Sequence, residues 1–187
     1  MQRRAEDTAD SPFSRRDELD FLASVEVAVG AIAQRKPDAD PKAARMVLQL
    51  TRVADVVAYD IESRVHRPHG WSWSGFRVLF ALWVAGPLES RQVTRMTGMS
   101  RAGVSALVKT LERDGLLVRT RAATDRRTIE LALTQHGEHL VDQVLDEHHE
   151  REKLWADALT PNEQVQLAGL LDKLSRAATD LGANTRE

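Results

Sequence analysis

Residues 99–117 read MSRAGVSALVKTLERDGLL, and the fold turns on why a helix should begin this way. Val104, Leu107, Val108 and Leu111 fall at helical spacing and make one apolar stripe. The other side carries Arg101, Ala102, Ser105, Lys109 and Arg113, with Gly103 in the first turn. A glycine inside a helix costs about 1 kcal/mol relative to alanine, so a helix shaped for stability alone would not carry one there. Small residues on that side imply that something comes close to it. Ser100 is expected to cap the helix, and Gly115 to end it as a left-handed residue.

Working outward, the N-terminal side predicts a short helix over about Glu89 to Thr97, closed by a turn at Gly98-Met99. Before it, Ser72 caps a helix that runs through Phe76, Leu79, Phe80 and Trp83 to Gly86-Pro87, with Trp71 and Phe76 as a hydrophobic staple. On the C-terminal side the period changes from helical to two. In TIELAL (128–133) Ile129, Leu131 and Leu133 alternate with Thr128, Glu130 and Ala132, and LLVRTR (116–121) is the partner strand. Helix, helix, turn, helix, strand, basic loop, strand is the order of a winged helix-turn-helix.

The outer segments are helical. Residues 1–13 read as a disordered tail. A helix from Ser14 carries Leu19, Leu22, Val25, Val29 and Ile32 and ends near Lys36-Pro37. PDADP (37–41) is a connection, and a longer helix from about Lys42 to His66 carries Met46, Leu50, Val53, Val57, Ile61 and Val65. Thr134 opens a long helix to about Leu159. Thr160-Pro161 opens the last one, with Leu167, Leu170, Leu171, Leu174 and Leu181 as its stripe. The expected class is mainly α (α+β): a DNA-binding winged helix-turn-helix with a two-stranded wing over 67–133, flanked by helices 14–66 and 134–187.

Composition narrows the function. With 42% hydrophobic and 29% charged residues the chain is an ordinary soluble globular protein, and no apolar run of about 18 residues is present to span a membrane. The polar N-terminus carries no secretory signal. Cysteine is absent, which excludes disulfides, thiol catalysis and cysteine metal sites. A cytoplasmic protein is the simplest reading. Charge is sorted along the chain: residues 88–130 hold nine bases against five acids, while residues 134–187 hold five bases against eleven acids. A basic segment in a mildly acidic protein points to an anionic partner met by that segment alone.

Each residue of that segment has a role in such an encounter. The N-terminal part of a helix in a DNA major groove must approach base edges, and small residues permit it. Arg101 suits guanine, Ser105 is adaptable, and Ala102 suits a thymine methyl. Ser100 stands at the same helix start, and Lys109 and Arg113 are placed for phosphates. Ser90, Arg91 and Gln92, at the start of the preceding helix, are further phosphate candidates. In the loop Thr124-Asp125-Arg126-Arg127 the two arginines suit a narrow minor groove. Asp125 is better used to pin one of them than to face a phosphate.

The stretches WSWSGFRVLFAL, TGMS, SRAGVSALVKTLERDGLL and TDRRTIELALT together resemble the MarR family of bacterial transcriptional regulators, over residues 71–134 and more loosely over 42–66 and 134–181. The resemblance implies that Asp125 orients Arg127, and that Arg126 or Arg127 reaches the minor groove. It further implies a homodimer built through the outer helices, and a pseudo-palindromic double-stranded operator. The extra N-terminal helix is similar to that of the urate-responsive branch. That helix here has Phe21 but no tryptophan, and Arg77 stands where the branch has an aspartate, so urate is not carried over.

Small phenolic or aromatic acids are the effectors such a resemblance implies. Tyr59, His66, Trp73, Phe76 and Arg77 are the candidates to line their site, although aromatics at helical spacing are more economically read as core. His136, His139, His148 and His149 share a helix with Glu138 and Glu147. They lack a third ligand at one-turn spacing and read as a solvated polar face rather than a metal site. No cofactor is expected. No nucleophile elbow, zinc-protease motif or phosphate loop is present, so the chain is not read as an enzyme. The expectation is a ligand-responsive homodimeric repressor. The alternative is a winged-helix protein-interaction module, which would show an apolar or acidic outer face on residues 100–114.

Overall fold

The computed structural model describes residues 21–121 and 127–183. The expected tail (1–13), the start of the first helix and the wing residues Asp125 and Arg126 lie outside the described residues. Two compact units divide the chain between Val56 and Val57.

In the first unit, α1 (Phe21–Arg35) buries Val25 and Val29, two members of the expected stripe. Asp40 then accepts backbone hydrogen bonds from Lys42 (2.8 Å) and Ala43 (3.3 Å), and Pro41 takes the first position of α2 (Pro41–Ile61). Proline suits that position because its missing N–H would have no helical partner there. The second proline of PDADP therefore begins a helix as well as interrupting one. Glu26 of α1 pairs with Arg45 of α2. Met46, Val47, Leu50, Val53 and Val56 of α2 are exposed.

The second unit begins with the end of α2. The helix was expected to reach His66, but its last turn, Glu62–His66, widens into a π turn. A 3-10 turn (Arg67–His69) and left-handed Gly70 follow. Then come α3 (Trp73–Ala85), α4 (Ser90–Thr97), α5 (Arg101–Arg113), the antiparallel pair β1 (Leu117–Arg121) and β2 (Ile129–Leu133), α6 (Gln135–Ala156) and α7 (Pro161–Asp180). The strands pair from Leu117 with Leu133 to Arg121 with Ile129. Leu88, between α3 and α4, adds a bridge to Leu131 through backbone hydrogen bonds of 3.0 and 2.8 Å.

The core of this unit gathers Val78, Leu79 and Leu82 of α3, Val93 of α4, Val104, Val108 and Leu111 of α5, Leu117, Leu131, and Val141 and Val144 of α6. The α5 stripe is as read, with Leu107 only half-buried against the cluster. The α3 stripe is corrected: Phe76 and Leu79 are buried, but Phe80 and Trp83 are exposed while Val78, Ala81 and Leu82 lie inside. That helix is apolar nearly all round, so its sequence does not mark a single inner face. Ile129, at the outer end of β2, is also exposed.

Three helices of the unit start alike. Ser72, Ser100 and Thr134 each accept a hydrogen bond from the N–H of a glycine three residues on: Gly75 (3.1 Å), Gly103 (3.1 Å) and Gly137 (2.9 Å). A methyl group on Gly103 would stand 3.2 Å from the Ser100 hydroxyl, while one on Gly137 would meet the Leu116 carbonyl oxygen at 2.0 Å. At Gly103 the contact is one that a shift of a few tenths of an ångström relieves. Gly137 lets α6 lie directly on the lead-in to β1.

Candidate nucleic-acid interface

The short helix α4 is aligned by a capping box. Gln92 accepts a hydrogen bond from the Glu89 N–H (2.8 Å), and the Glu89 carboxylate caps the N–H of Gln92 in return. Gly98, at φ 63°, turns the chain into α5. Val93 and Thr97 on α4 and Val104 and Val108 on α5 are buried, which fixes the angle between the helices and leaves the other face of α5 outward. The Thr97 hydroxyl donates to the Val93 carbonyl (2.8 Å). Arg77 of α3 donates to the Thr97 carbonyl at the end of α4, a favourable place for a cation.

That outward face carries the expected residues. Ser100, Arg101, Ala102, Ser105, Lys109 and Arg113 are all exposed. Arg101 and Lys109 have no acidic partner among the described residues, whereas Arg113 pairs with Asp114 (3.0 Å). Ser90 is exposed, and Arg91 lies in a two-point fork with Glu89, Nη2 to Oε1 and Nε to Oε2 both 2.9 Å. Gln92 and Ser100 serve first as capping groups, a use the sequence reading of Gln92 missed although a glutamate three residues before a glutamine is its signal. Arg127 is exposed at the entry to β2. Arg119 on β1 was not among the candidates; it pairs with Glu112 of α5 (3.3 Å).

The five candidates for an effector site do not all meet. His66 stacks on Phe76 (ring centroids 4.2 Å) and Trp73 (5.5 Å). Tyr59 is exposed beneath the Arg67 guanidinium, 5.3 Å from ring centroid to carbon. Arg77 is committed to α4. The group that completes the cluster is His148 of α6. Its reading as part of a solvated face is corrected: it is buried, 4.8 Å from Phe76, with Nδ1 3.1 Å from His66 Nε2. Val141, Val144 and His148 stand at i, i+3 and i+7 on one helix face, which is the signal that would have placed it inside.

The proton arrangement follows from the partners. His148 Nε2 stands 3.2 Å from Glu152 Oε1, so it carries the hydrogen facing the carboxylate, and Nδ1 accepts from His66 Nε2. His66 Nδ1 is then a buried acceptor without a partner among the described residues. Burial first, and the His148 charge second, lower the His66 imidazole from 6.5 to about 4, and burial lowers His148 as well. Nearby, Asp60 accepts from Arg151 (2.6 and 2.7 Å) and Trp155 (2.8 Å) of α6, and these bonds, led by Arg151, hold its carboxyl near about 2. Glu62 accepts from the Trp73 N–H (2.9 Å) and stays below its ordinary value chiefly for that reason.

Among the described residues no helix is long and apolar enough to cross a membrane, and no three metal-ligating side chains converge. Comparison with known proteins places this geometry. A family model described as the MarR family matches residues 69–128. An uncharacterized HTH-type transcriptional regulator of Bacillus subtilis, YwaE, is 31% identical over 134 residues, covering 72% of this chain and 78% of its own. The HTH-type transcriptional repressor MdtR of the same organism is 30% identical over 101 residues, covering 54% of this chain and 65% of its own. Among solved structures, BpsR of Bordetella bronchiseptica, whose DNA binding is regulated by 6-hydroxynicotinic acid, aligns with a TM-score of 0.60 and 26% identity, over 68% of this chain and 91% of that one. From the capped helix α5 to the paired wing strands, and with relatives matched over most of its length, this chain belongs to the MarR family of winged-helix transcriptional regulators, which bind DNA and perform no catalysis.

Proposed function

We propose that the protein is a homodimeric, effector-responsive repressor. Residues 67–133 form its DNA-binding domain, and 14–66 and 134–187 its dimerisation helices. The observation that carries the reading is the outward face of α5, where Arg101, Ala102, Ser105 and Lys109 are exposed and, among the described residues, no carboxylate pairs with Arg101 or Lys109. That face is neither apolar nor acidic, which disfavours a protein-interaction module. Arg101 and Ala102, with Ser105 behind them, read base edges. Lys109, Arg113, Ser90, Arg91 and Gln92 take phosphates, Asp125 orients Arg127, and Arg126 or Arg127 takes the minor groove.

A second copy of the chain gives the exposed apolar faces an occupant. Leu167, Leu170, Leu171 and Leu174 on α7 are solvent-facing and share one side of the helix, and a contiguous apolar face of this kind marks an association surface. Two copies then place two α5 helices on half-sites about one turn apart. A small aromatic or phenolic effector near His66, Trp73 and Phe76 would act by favouring one spacing of those helices over another. The relatives support repression and an aromatic effector: one is a repressor and another answers to 6-hydroxynicotinic acid.

The test is selection of bound duplexes from a random pool at moderate salt, alongside light scattering of the free protein. A two-fold symmetric motif with half-sites about one turn apart and a dimeric mass are expected. Enrichment of an asymmetric motif, or a monomeric mass at the concentration that binds, refutes the dimeric reading.

A further inference from the structure

Three arginine–carboxylate pairs among the described residues of α4, α5 and β1 differ in what they join. Arg91 is held by Glu89 two residues before it and Arg113 by Asp114 beside it, both local arrangements. Arg119 is different: it stands on β1, and Glu112, which holds it, stands on α5. Between α4, α5 and β1 lies a cavity of about 420 Å³ walled by Arg91, Arg101 and Arg119 and by the hydroxyl-bearing Ser90, Thr94 and Ser105. Among the described residues no carboxylate lines it. Its charged groups are all guanidinium forks, the geometry that matches a phosphate.

We propose that this cavity seats a backbone phosphate of the DNA beside the base pairs met by α5, with Arg119 as a phosphate ligand and Glu112 as the residue that positions it. The proposal rests on the reading of α5 as the DNA-contacting helix. A free arginine samples many rotamers, and a carboxylate that fixes its Nε leaves the two Nη groups aimed and less disordered before DNA arrives. The pair adds little to stability, since both side chains are about two-fifths exposed, 41% and 38%. A bare Glu112 at this surface would repel DNA. Its presence is therefore explained by what it does to Arg119.

The opposite signs of these two effects make the test sharp. Binding of the full chain to the duplex recovered by selection, and to a random duplex, is measured across a series of salt concentrations. Arg119→Ala should weaken both complexes several-fold and lower the slope of log K against log salt by about 0.9. Arg119→Lys should keep the slope while losing part of the affinity. Glu112→Gln should weaken binding in the parent chain but leave it unchanged or tighter in the Arg119→Ala background. Melting temperatures of all variants should stay near the parent's. An unchanged slope in Arg119→Ala overturns the phosphate ligand. Tighter binding by Glu112→Gln in both backgrounds overturns the positioning role. If instead the parent shows no salt-dependent binding and Arg101→Ala changes nothing, the reading of α5 itself has failed.

Discussion

Acidification from pH 7 to pH 4 should weaken the fold through His66. The ring is wholly buried, its Nε2 is engaged by His148, and its Nδ1 faces no hydrogen-bond partner among the described residues. A proton added there has no partner and lies beside a second imidazole. The unfolded chain takes up this proton near the ordinary value of 6.5 and the folded chain only near about 4. Between those values the unfolded state binds more protons, so stability is full above about pH 6.5 and falls as the pH drops toward 4. At about 1.4 kcal/mol per pH unit, the interval amounts to roughly 3 kcal/mol, a large share of a typical 5–15 kcal/mol. The Asp60 carboxyl, held near about 2, adds its own loss mainly below pH 4, so the two windows separate. Urea unfolding at fixed protein concentration from pH 7.5 to 4.5 reads the loss, and the ring Cε1–Hε1 signals report which histidine titrates. His66→Phe keeps a ring in the stack and should flatten the profile over pH 6.5–5. A His66 signal that titrates at or above pH 6, or a variant profile with the parent's slope, refutes the reasoning.

Other expectations follow from contacts already described. Gly137→Ala puts a methyl group 2.0 Å from a backbone oxygen, and neither helix nor strand can yield cheaply, so a loss of about 1–3 kcal/mol is expected in thermal melts. Gly103→Ala, whose new contact is a hydroxyl at 3.2 Å, should melt close to the parent. Asp60→Asn leaves the Arg151 fork without its charge partner and should destabilise by about 2–3 kcal/mol, measured by urea unfolding at neutral pH. Arg101→Ala should weaken the selected duplex more than a random one, whereas Lys109→Ala should weaken both alike and flatten the salt slope; equal losses for Arg101→Ala would remove it from base reading.

The parts of this fold that were legible in the sequence are those whose causes lie within a few residues. Ser72, Ser100 and Thr134 cap the helices they were expected to cap, Gly98 and Gly115 take the left-handed turns, and the change of period after Gly115 marks the strand pair. The exposed face of α5 was likewise a local pattern. What escaped depends on distant partners. His148 is buried because His66, 82 residues away, and Phe76 lie against it, while its sequence neighbours Glu147, His149 and Glu150 are exposed. The inner side of α3 was hidden by a helix apolar almost all round. Arg77 was legible as a charge, but not its bond to the Thr97 carbonyl at the end of α4. Arg119 was legible as charge but not as a member of the interface, because the turn from α5 into β1 is what folds it back against Glu112.

The bridge between Leu88 and Leu131 has a mechanical meaning. It joins the chain just before α4 to the returning strand of the wing, so α4, the turn, α5 and β1 form a cinched loop, closed at its neck by two backbone hydrogen bonds. Valines on α4 and α5 wedge the inside of that loop. α5 is therefore tied on both sides: moving it apart from α4 and β1 means opening the neck between Leu88 and Leu131.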